Sequence, residues 1–418
     1  MKTPFPYSRI SVVGLGYIGL PTAAIIASRG VEVVGVDVSR QIVDILNRGE
    51  IHIVEPDLDI LVRGTVASGK LWATINPEPA EAFLIAVPTP FKGNHAPDLS
   101  YIRSAAQSIA PVLRSGNLVI LESTSPVGAT DQMAAWLAEA RPDLTFPQQR
   151  GQDADIQIAY CPERVLPGKV LRELVENDRV IGGMTQKCTE RATAFYKVFV
   201  DGRCLPTDAR TAEMAKLTEN AFRDVNIAFA NELSLISERL GVNVWELIEL
   251  ANHHPRVNIL QPGPGVGGHC IAVDPWFIVD SAPDLARLIH VAREVNDGKP
   301  HWVIEKVKQA AARFKYPKIA CLGLAFKPDI DDLRESPALE ITAHLAKEID
   351  GTIFAVEPFI DALPATLATL PNVVLRDAAN AITAADIVLV LVNHSQFNAI
   401  DRSVLGDKPV IDTRGMWR

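Results

Sequence analysis

The length, composition and charge of the chain limit what it can be. Its 418 residues suffice for two or three domains, and 48% hydrophobic with 22% charged residues is typical of a globular protein. No run of about 18 apolar residues lacks a charge or a helix breaker, so we predict no membrane span; the N-terminus lacks the features of a signal peptide. A net charge of −9 without a basic stripe argues against nucleic acid as a partner. The five cysteines include no Cys-x-x-Cys pair, which indicates reduced thiols and a cytoplasmic protein.

The first predicted elements are a strand, a glycine-rich turn and a helix. The apolar run Arg9–Val13 leads into Gly14-Leu15-Gly16-Tyr17-Ile18-Gly19, and a helical pattern continues to about Arg29. The next strand, Glu32–Val36, ends at Asp37. Glycines at this spacing let the backbone approach a pyrophosphate, and an acid at the end of the second strand bonds ribose hydroxyls and repels the 2′-phosphate of NADP. We therefore predict an NAD site; the alternative is a glycine-rich turn without a ligand.

Further short apolar runs alternate with helical patterns up to residue 207. The predicted strands are Phe83–Val87, Leu118–Leu121, Ile156–Tyr160 and Val180–Ile181, and the predicted helices lie near Tyr101–Leu113 and Thr130–Glu139. Such alternation favours a parallel sheet covered by helices. Hydroxyl side chains follow two of these strands, in Val87-Pro88-Thr89-Pro90 and Glu122-Ser123-Thr124. They lie where ligands bind parallel sheets, although ordinary turn chemistry explains them equally well.

The pattern changes after residue 207 and then returns. Residues 208–250 and Ala286–Phe314 read as helix, the latter broken near Gly298-Lys299-Pro300, while Pro255–Pro275 is dense in Gly and Pro and reads as loop. A second strand-glycine-helix start follows at Lys318–Leu322, and the further predicted strands are Thr352–Val356, Ile387–Val392 and Val410–Ile411. We predict an α/β fold in which two Rossmann-like, doubly wound parallel-sheet domains (residues 1–207 and 315–418) flank a central helical domain (208–314).

The densest loop carries a cysteine. Gly263-Pro264-Gly265-Val266-Gly267-Gly268-His269-Cys270 surrounds one thiol with small residues, and Asp274 follows four residues later. Such a thiol is a candidate nucleophile. The alternative is a small buried hydrophobic residue, as most cysteines without a disulfide are. We predict no metal, because His253, His254 and His269 lack a chelating spacing.

Polar residues recur on one helical pattern in the middle of the chain. Lys216 and Asn220 are four apart and share a face, and Asn226, Asn231 and Glu232 follow. A solvated face is the ordinary explanation. However, Asn is a poor helix former, and its repeated use hints at buried polar contacts.

Several motifs together carry a family resemblance over essentially the whole chain. They are Val13 to Pro21, Glu122-Ser123-Thr124, Cys161-Pro162-Glu163-Arg164, the Glu213 to Glu232 helix, Gly267-Gly268-His269-Cys270, and Gly323 to Pro328 with Asp331 to Pro337. In this set and order the sequence resembles the UDP-glucose/GDP-mannose dehydrogenase family of nucleotide-sugar 6-dehydrogenases.

The resemblance implies a four-electron oxidation of a C6 alcohol to an acid with two NAD. Cys270 would be the nucleophile, forming first a thiohemiacetal and then a thioester that water releases. Lys216 and Asn220 would hold the oxyanion. Asp274 and Thr124 would position water or assist proton transfer, with Glu163 acting nearby as base or water-holder.

The resemblance also implies binding residues and a homodimer through the central helices. The cofactor would contact Gly14, Gly16, Tyr17, Ile18, Gly19, Asp37, Thr89, Thr124 and Arg334. The nucleotide sugar would contact Arg164, Lys216, Asn220, Asn258, Gly265, Phe326, Lys327 and Arg414, with the loop Val257–Gly265 wrapping its diphosphate. Arg256 would reach the nucleotide sugar on the partner subunit.

Two departures from the family pattern bear on the sugar. Members that act on UDP-glucose often have a second Glu four residues after the position of Glu163 and a Lys just before that of Asp274; here these are Pro167 and Val273. Both departures fit an N-acetylated UDP-hexosamine. The choice of UDP-N-acetyl-D-mannosamine, used in bacterial surface polysaccharide, is what the resemblance alone implies, through the runs 51–57, 147–149 and 252–278. The alternatives are UDP-N-acetylglucosamine or UDP-glucose, a single-step β-hydroxyacid dehydrogenase, and a non-catalytic NAD-binding regulatory protein.

Overall fold

The computed structural model describes residues 7–93, 95–166, 168–268 and 270–417. Residues 1–6, Pro167 and His269, each of which enters an expectation above, lie outside the described residues. The chain divides into two compact units between Glu219 and Asn220. The three-domain division expected from the sequence stays a prediction.

A mainly parallel sheet forms the centre of the first unit. Its strands are β1 Arg9–Val13, β2 Glu32–Val36, β3 Leu71–Thr74, β4 Ala82–Ile85, β7 Leu118–Leu121, β8 Gln157–Tyr160, β9 Arg179–Gly183 and β10 Cys204–Asp208, and a small antiparallel ribbon contains β5 Phe91–Lys92 and β6 Ala96–Pro97. The spatial order is β10-β9-β8-β7-β4-β1-β2-β3. Neighbouring strands are parallel except β8 and β9, which pair antiparallel. The chain therefore reverses direction once, near the edge of the sheet.

Helices cover both faces of this sheet. They are α1 Gly19–Ser28, α2 Arg40–Asn47, α3 Leu58–Ala67, α4 Ser100–Ile109, α5 Ala129–Ala140, α6 Pro147–Arg150, α7 Val170–Glu176, α8 Gln186–Tyr196 and the start of α9 Ala209–Leu240, with 3-10 turns at Ala110–Val112 and Gly151–Asp153. Successive strand residues point to opposite faces, so Val33 and Val34 belong to different apolar clusters. Burial on both faces explains why these strands read as continuous apolar runs.

The second unit contains a smaller, wholly parallel sheet. Its strands are β11 Lys318–Leu322, β12 Thr352–Val356, β13 Val373–Leu375, β14 Ile387–Val390 and β15 Val410–Asp412, in the order β13-β12-β11-β14-β15. Its further helices are α10 Val244–Asn252, α11 Asp274–Ser281, α12 Arg287–Ala311, α13 Pro337–Glu348, α14 Ala365–Ala368 and α15 Ala378–Ala384, with 3-10 turns at Ser395–Ala399 and Arg402–Leu405. Ser336 caps α13 by accepting from the Leu339 amide, and Pro337 occupies the first helical position.

The expected break of the helix near residues 298–300 is wrong. Helix α12 continues through Pro300. A proline inside a helix costs about 3 kcal/mol. Beyond it, Val303, Ile304 and Val307 are buried in the apolar core of the second unit. Each such side chain contributes about 1.5 to 3 kcal/mol, so packing outweighs the local preference.

In both sheets, a carboxylate at the end of the second strand accepts hydrogen bonds from backbone amides. In the first, Asp37 accepts a hydrogen bond from the Leu15 amide (3.0 Å). In the second, Glu357 accepts from the amides of Leu324 (2.7 Å) and Ala325 (3.0 Å). His394, fully buried, places Nε2 3.1 Å from the same carboxylate oxygen. The second acid is therefore surrounded by protein partners. No helix in the described ranges is both long and apolar enough to cross a membrane.

Candidate active site

The glycine-rich turn after β1 is shaped by two of its three glycines. Gly14 has φ +92°, and a Cβ added there would lie 2.5 Å from the Ala86 carbonyl oxygen; one added to Gly19 would strike the Gly14 carbonyl. Apart from its chain neighbours, no atom of the described residues lies within 4 Å of a Cβ built on Gly16. The turn itself requires glycine at positions 14 and 19, whereas the space beside Gly16 is open to a ligand's close approach.

The end of β2 and the start of α1 complete a dinucleotide cradle. Asp37 accepts from the amides of Leu15 (3.0 Å) and Ser39 (2.9 Å), which fixes its carboxylate at the strand end. The first turn of α1 contains no acidic residue, so the positive end of its dipole is available to a phosphate. Tyr17 and Ile18 lie in the turn between them, and Tyr17 is partly exposed. These residues fit a pyrophosphate and a ribose with its 2′-hydroxyl.

The hydroxyl side chains after β4 and β7 differ in whether they already bond to the protein. The Ser123 hydroxyl accepts from the Val87 amide (3.0 Å) and donates to the Val87 carbonyl (2.7 Å), which ties the two strand ends together. The hydroxyl of Thr89 is buried and has no hydrogen-bond partner among the described residues. Thr124 is half-buried. Ser123 thus matches the turn-chemistry explanation, while Thr89 is placed to bond a ligand.

A buried polar cluster lies beneath these strand ends. Glu163 forms an ion pair with Arg179 (2.6 Å) and accepts from the Arg164 amide (2.6 Å). Tyr196 donates to Glu122 (2.5 Å), and burial raises the pKa of that carboxyl to about 7. Both oxygens of Glu163 are engaged, so its geometry suits holding the segment after β8. Sequence reasoning missed Arg179 and Tyr196; the one signal was a charged residue directly before the apolar pair Val180-Ile181.

Helix α9 positions the next expected residues. Lys216 is buried, and Asn220 follows one turn later. Asn220 is also buried and donates from Nδ2 to the Asp274 carboxylate (2.5 Å). The structure thus brings two of the expected catalytic residues of the second unit into contact.

Cys270 lies one turn before α11. The amide of Asp274 donates to the Cys270 carbonyl oxygen (2.9 Å), so the four-residue spacing seen in the sequence becomes a turn leading into the helix. Cys270 is exposed, which contradicts the alternative of a small buried hydrophobic residue. A thiol that reaches solvent beside an Asn–Asp pair can act as a nucleophile.

The glycine loop before Cys270 packs tightly. Gly265 and Gly268 have φ of +149° and +82°, and a Cβ on either would crowd Pro337 or Phe326. Gly263 lies against the guanidinium of Arg414, with Nη1 2.5 Å from a Cβ built there. The loop therefore follows the surface formed by these three side chains without room for larger residues.

The expected substrate cations fall into two groups. Lys327 and Arg256 are exposed, as is Asn258, and Arg414 is directed by a hydrogen bond to Asn393 (3.1 Å) while burial lowers its pKa. Two other cations, the expected substrate residue Arg164 and the expected cofactor residue Arg334, are held by acids of the protein: Arg164 pairs with Glu219 (2.5 Å), and Arg334 pairs with Asp332 (2.6 Å). Lys327 and Arg256 are therefore accessible to a diphosphate, whereas Arg164 and Arg334 must exchange partners to meet a ligand.

Comparison with known families decides what these sites belong to. The NAD binding, central and UDP binding domains of the UDP-glucose/GDP-mannose dehydrogenase family match residues 8–200, 210–298 and 320–418. The chain belongs to this family. It is therefore a nucleotide-sugar 6-dehydrogenase with NAD as cofactor, which confirms the resemblance, the α/β fold and the NAD prediction.

Individual relatives extend this similarity over the full length. The chain is 66% identical to the NDP-N-acetyl-D-galactosaminuronic acid dehydrogenase of Ralstonia nicotianae, over 98% of this chain and 96% of that one. It is 63% identical to the UDP-N-acetyl-D-mannosamine dehydrogenase of Yersinia pestis, over 99% and 100%. The solved UDP-N-acetyl-mannosamine dehydrogenase of Staphylococcus aureus superposes with a TM-score of 0.87 at 43% identity, over 98% and 95%.

Proposed function

We propose that the protein oxidises C6 of UDP-N-acetyl-D-mannosamine to the carboxylate, giving UDP-N-acetyl-D-mannosaminuronate with reduction of two NAD. The observation that carries the chemistry is the exposed Cys270 thiol one turn before the buried Asn220–Asp274 pair. The name of the 63% identical Yersinia pestis relative supports the sugar.

The proposed route uses one nucleophile and two hydride removals. When bound, NAD supplies the hydride acceptor for both oxidations. The first converts the C6 alcohol to an aldehyde with loss of a proton. The Cys270 thiolate adds to the aldehyde, and the resulting thiohemiacetal is oxidised to a thioester. Water then attacks the thioester carbonyl, releasing the uronate and restoring the thiol.

The remaining roles follow from charge and hydrogen bonding. Lys216 and Asn220 donate to the oxyanion that forms at C6. Asp274, which accepts from Asn220, would position water or assist proton transfer. The resemblance gives Thr124 the same role, to position water or assist proton transfer. Glu163, held by Arg179 and the Arg164 amide, acts nearby as base or water-holder.

We further propose a homodimer through the central helices, in which Arg256 reaches the nucleotide sugar on the partner subunit. Helix α9 exposes large apolar side chains at seven-residue intervals, followed by one more at its end, and the region around the start of α12 adds others. They are Phe222, Phe229, Ile236 and Leu240, with Leu285, Leu288 and Val291. Exposed large apolar side chains repeated along a helix in this way are typical of an interface between subunits.

The sugar has a second candidate. The 66% identical Ralstonia relative is named an NDP-N-acetyl-D-galactosaminuronic acid dehydrogenase. UDP-N-acetyl-D-galactosamine is therefore the second candidate substrate. UDP-N-acetylglucosamine and UDP-glucose remain from the sequence. The hydroxyacid and non-catalytic alternatives lose their support, because residues 320–418 match the family's UDP binding domain. We place the reaction in the cytoplasm and in the supply of surface polysaccharide; the absence of disulfides among the five cysteines agrees with a reducing compartment.

Endpoint measurement of NADH tests the proposal. Purified protein is mixed with excess NAD and a limiting amount of each UDP-sugar: N-acetylmannosamine, N-acetylgalactosamine, N-acetylglucosamine and glucose. We expect two NADH per UDP-N-acetylmannosamine and little from the others. Two NADH from another sugar would overturn the substrate and keep the chemistry. One NADH per sugar would overturn the covalent route.

A further inference from the structure

A chain of four buried polar side chains joins helices α9 and α12 and ends on the glycine loop. Asp224 and Asn231 come from α9, and Arg293 and Asn296 from α12; each is at most 1% exposed. Polar groups buried to this extent are costly unless they are bonded. This network accounts for one of the asparagines that the sequence singled out.

The Asp224 carboxylate, at one end of the network, fixes the direction of each hydrogen bond in it. Arg293 donates from Nη1 to the Asp224 carboxylate (2.6 Å), and Asn296 donates from Nδ2 to the same oxygen (2.8 Å). A carboxylate only accepts, so Asn296 must turn its amino group toward Asp224. Its amide oxygen is therefore left facing Asn231.

The side-chain amide of Asn231 links Asn296 to the backbone of the glycine loop. Its Nδ2 donates to the Asn296 amide oxygen (2.8 Å), and its own Oδ1 accepts from the Gly263 amide (2.9 Å). With Asn231 reversed, two oxygens would face each other at one contact and two N–H donors at the other. The Arg293–Asp224 pair thus holds an amide two residues away in the orientation that binds Gly263.

Gly263 is the residue of the glycine loop before Cys270 that this network contacts. On its other side lies Arg414, and the loop continues through Gly265 and Gly268 against Pro337 and Phe326 toward Cys270. We propose that Asn231 is a positioning residue that fixes the Gly263–Gly268 loop for nucleotide-sugar binding through its hydrogen bond to the Gly263 amide. The identity of that ligand rests on the proposed function, whereas the position of the loop does not.

The test compares Asn231→Ala with Asn226→Ala on the same helix. The Asn226 amide donates to the Phe222 carbonyl within α9 (2.7 Å), so this control has the same substitution without the loop contact. In Asn231→Ala we expect faster amide hydrogen exchange in peptides covering residues 259–268. The KM for the UDP-sugar should rise about tenfold, the effect of losing one buried hydrogen bond, with the KM for NAD unchanged. Asn226→Ala should match the wild type in all three.

Two further variants keep the proposal falsifiable if Asn231→Ala does not fold. Asn231→Ser removes the contact with a smaller loss of polarity, and Asn296→Ala keeps Asn231 but frees its amide to turn; both should shift exchange and KM in the same direction. A folded variant at position 231 with lowered Tm but wild-type loop exchange and sugar KM would overturn the proposal. Loop exchange that depends on Asn231 in a protein that oxidises no nucleotide sugar would instead overturn the proposed function alone.

Discussion

At the scale of single residues, Cys270 has the central role in the proposed reaction, that of the nucleophile. Replacing it with Ala removes the only step that links the two oxidations, so uronate formation should fall by at least about 10³-fold. NAD binding should not change, because the cradle lies on the first sheet. NADH endpoints and NADH fluorescence titration measure the two quantities. Cys204→Ser, at a half-buried thiol in β10, is the matched control. Two NADH per sugar from Cys270→Ala would refute the thioester route.

Asp37 is the residue that we expect to select NAD over NADP. Its carboxylate is fixed by two backbone amides at the end of β2. Asp37→Ser should raise the KM for NAD about tenfold and narrow the preference for NAD over NADP, because ribose hydrogen bonds and phosphate repulsion are lost together. Asp44→Ser, at an exposed acid of α2, should leave both KM values unchanged. An unaltered NAD to NADP ratio in Asp37→Ser would remove Asp37 from this role.

Between elements, the cluster that joins β7, β9 and α8 makes stability depend on pH. Burial raises the pKa of Glu122 to about 7, with Arg179, Glu163 and Tyr196 around it. Between about pH 4.5 and 7 the unfolded chain has released this proton and the folded chain has kept it. The contribution of Glu122 is therefore full below pH 4.5 and is lost as the pH rises through 7.

Glu122→Gln should remove that part of the pH dependence. The variant keeps a neutral side chain that bonds Tyr196, so its Tm should fall less than that of the wild type between pH 5 and 8. The measurement is thermal unfolding across this range. Glu139→Gln, at an exposed position of α5, is the control. A Tm profile of Glu122→Gln parallel to that of the wild type would show that Glu122 is ionised throughout.

The elements that the sequence predicted well are those buried on both faces. Strands β1, β7, β11 and β12 have the expected bounds, because a doubly covered parallel strand is a continuous apolar run. Strand β10 was missed because it lies at the sheet edge, and most of its residues are exposed or half-buried. The short helices α2, α3 and α7 were missed as well, and α12 was wrongly broken because core packing overrides the proline.

For the whole molecule, the proposed dimer predicts that two inactive variants rescue each other. Arg256→Ala and Cys270→Ala should each be inactive. After mixing and exchange of subunits, about half the molecules are mixed dimers, each with one intact site, so about a quarter of wild-type activity should return. Phe229→Asp, on the apolar face of α9, should give a monomer by light scattering and abolish the rescue. No rescue between exchanging dimers would place Arg256 at its own subunit's site.

The sequence predicted those residues of the candidate site that belong to short motifs. It did not predict contacts between residues that are far apart in the chain. The glycines before α1, Asp37 and Cys270 are local patterns. In contrast, Asn231 meets Asn296 across 65 residues, and Glu163 and Arg179 come together only when β8 and β9 pair. No spacing rule encodes such contacts, because the tertiary fold creates them.

The Glu357–His394 contact in the second sheet has a consequence for the order of events in turnover. The acid that would hold a coenzyme ribose there is occupied by two backbone amides and an imidazole. Both coenzyme molecules of the proposed reaction must then visit the first sheet in succession, one leaving reduced before the next arrives oxidised. Throughout that exchange the half-oxidised sugar stays joined to the protein through sulfur. In the proposed route, a reactive aldehyde is thereby kept from diffusing away.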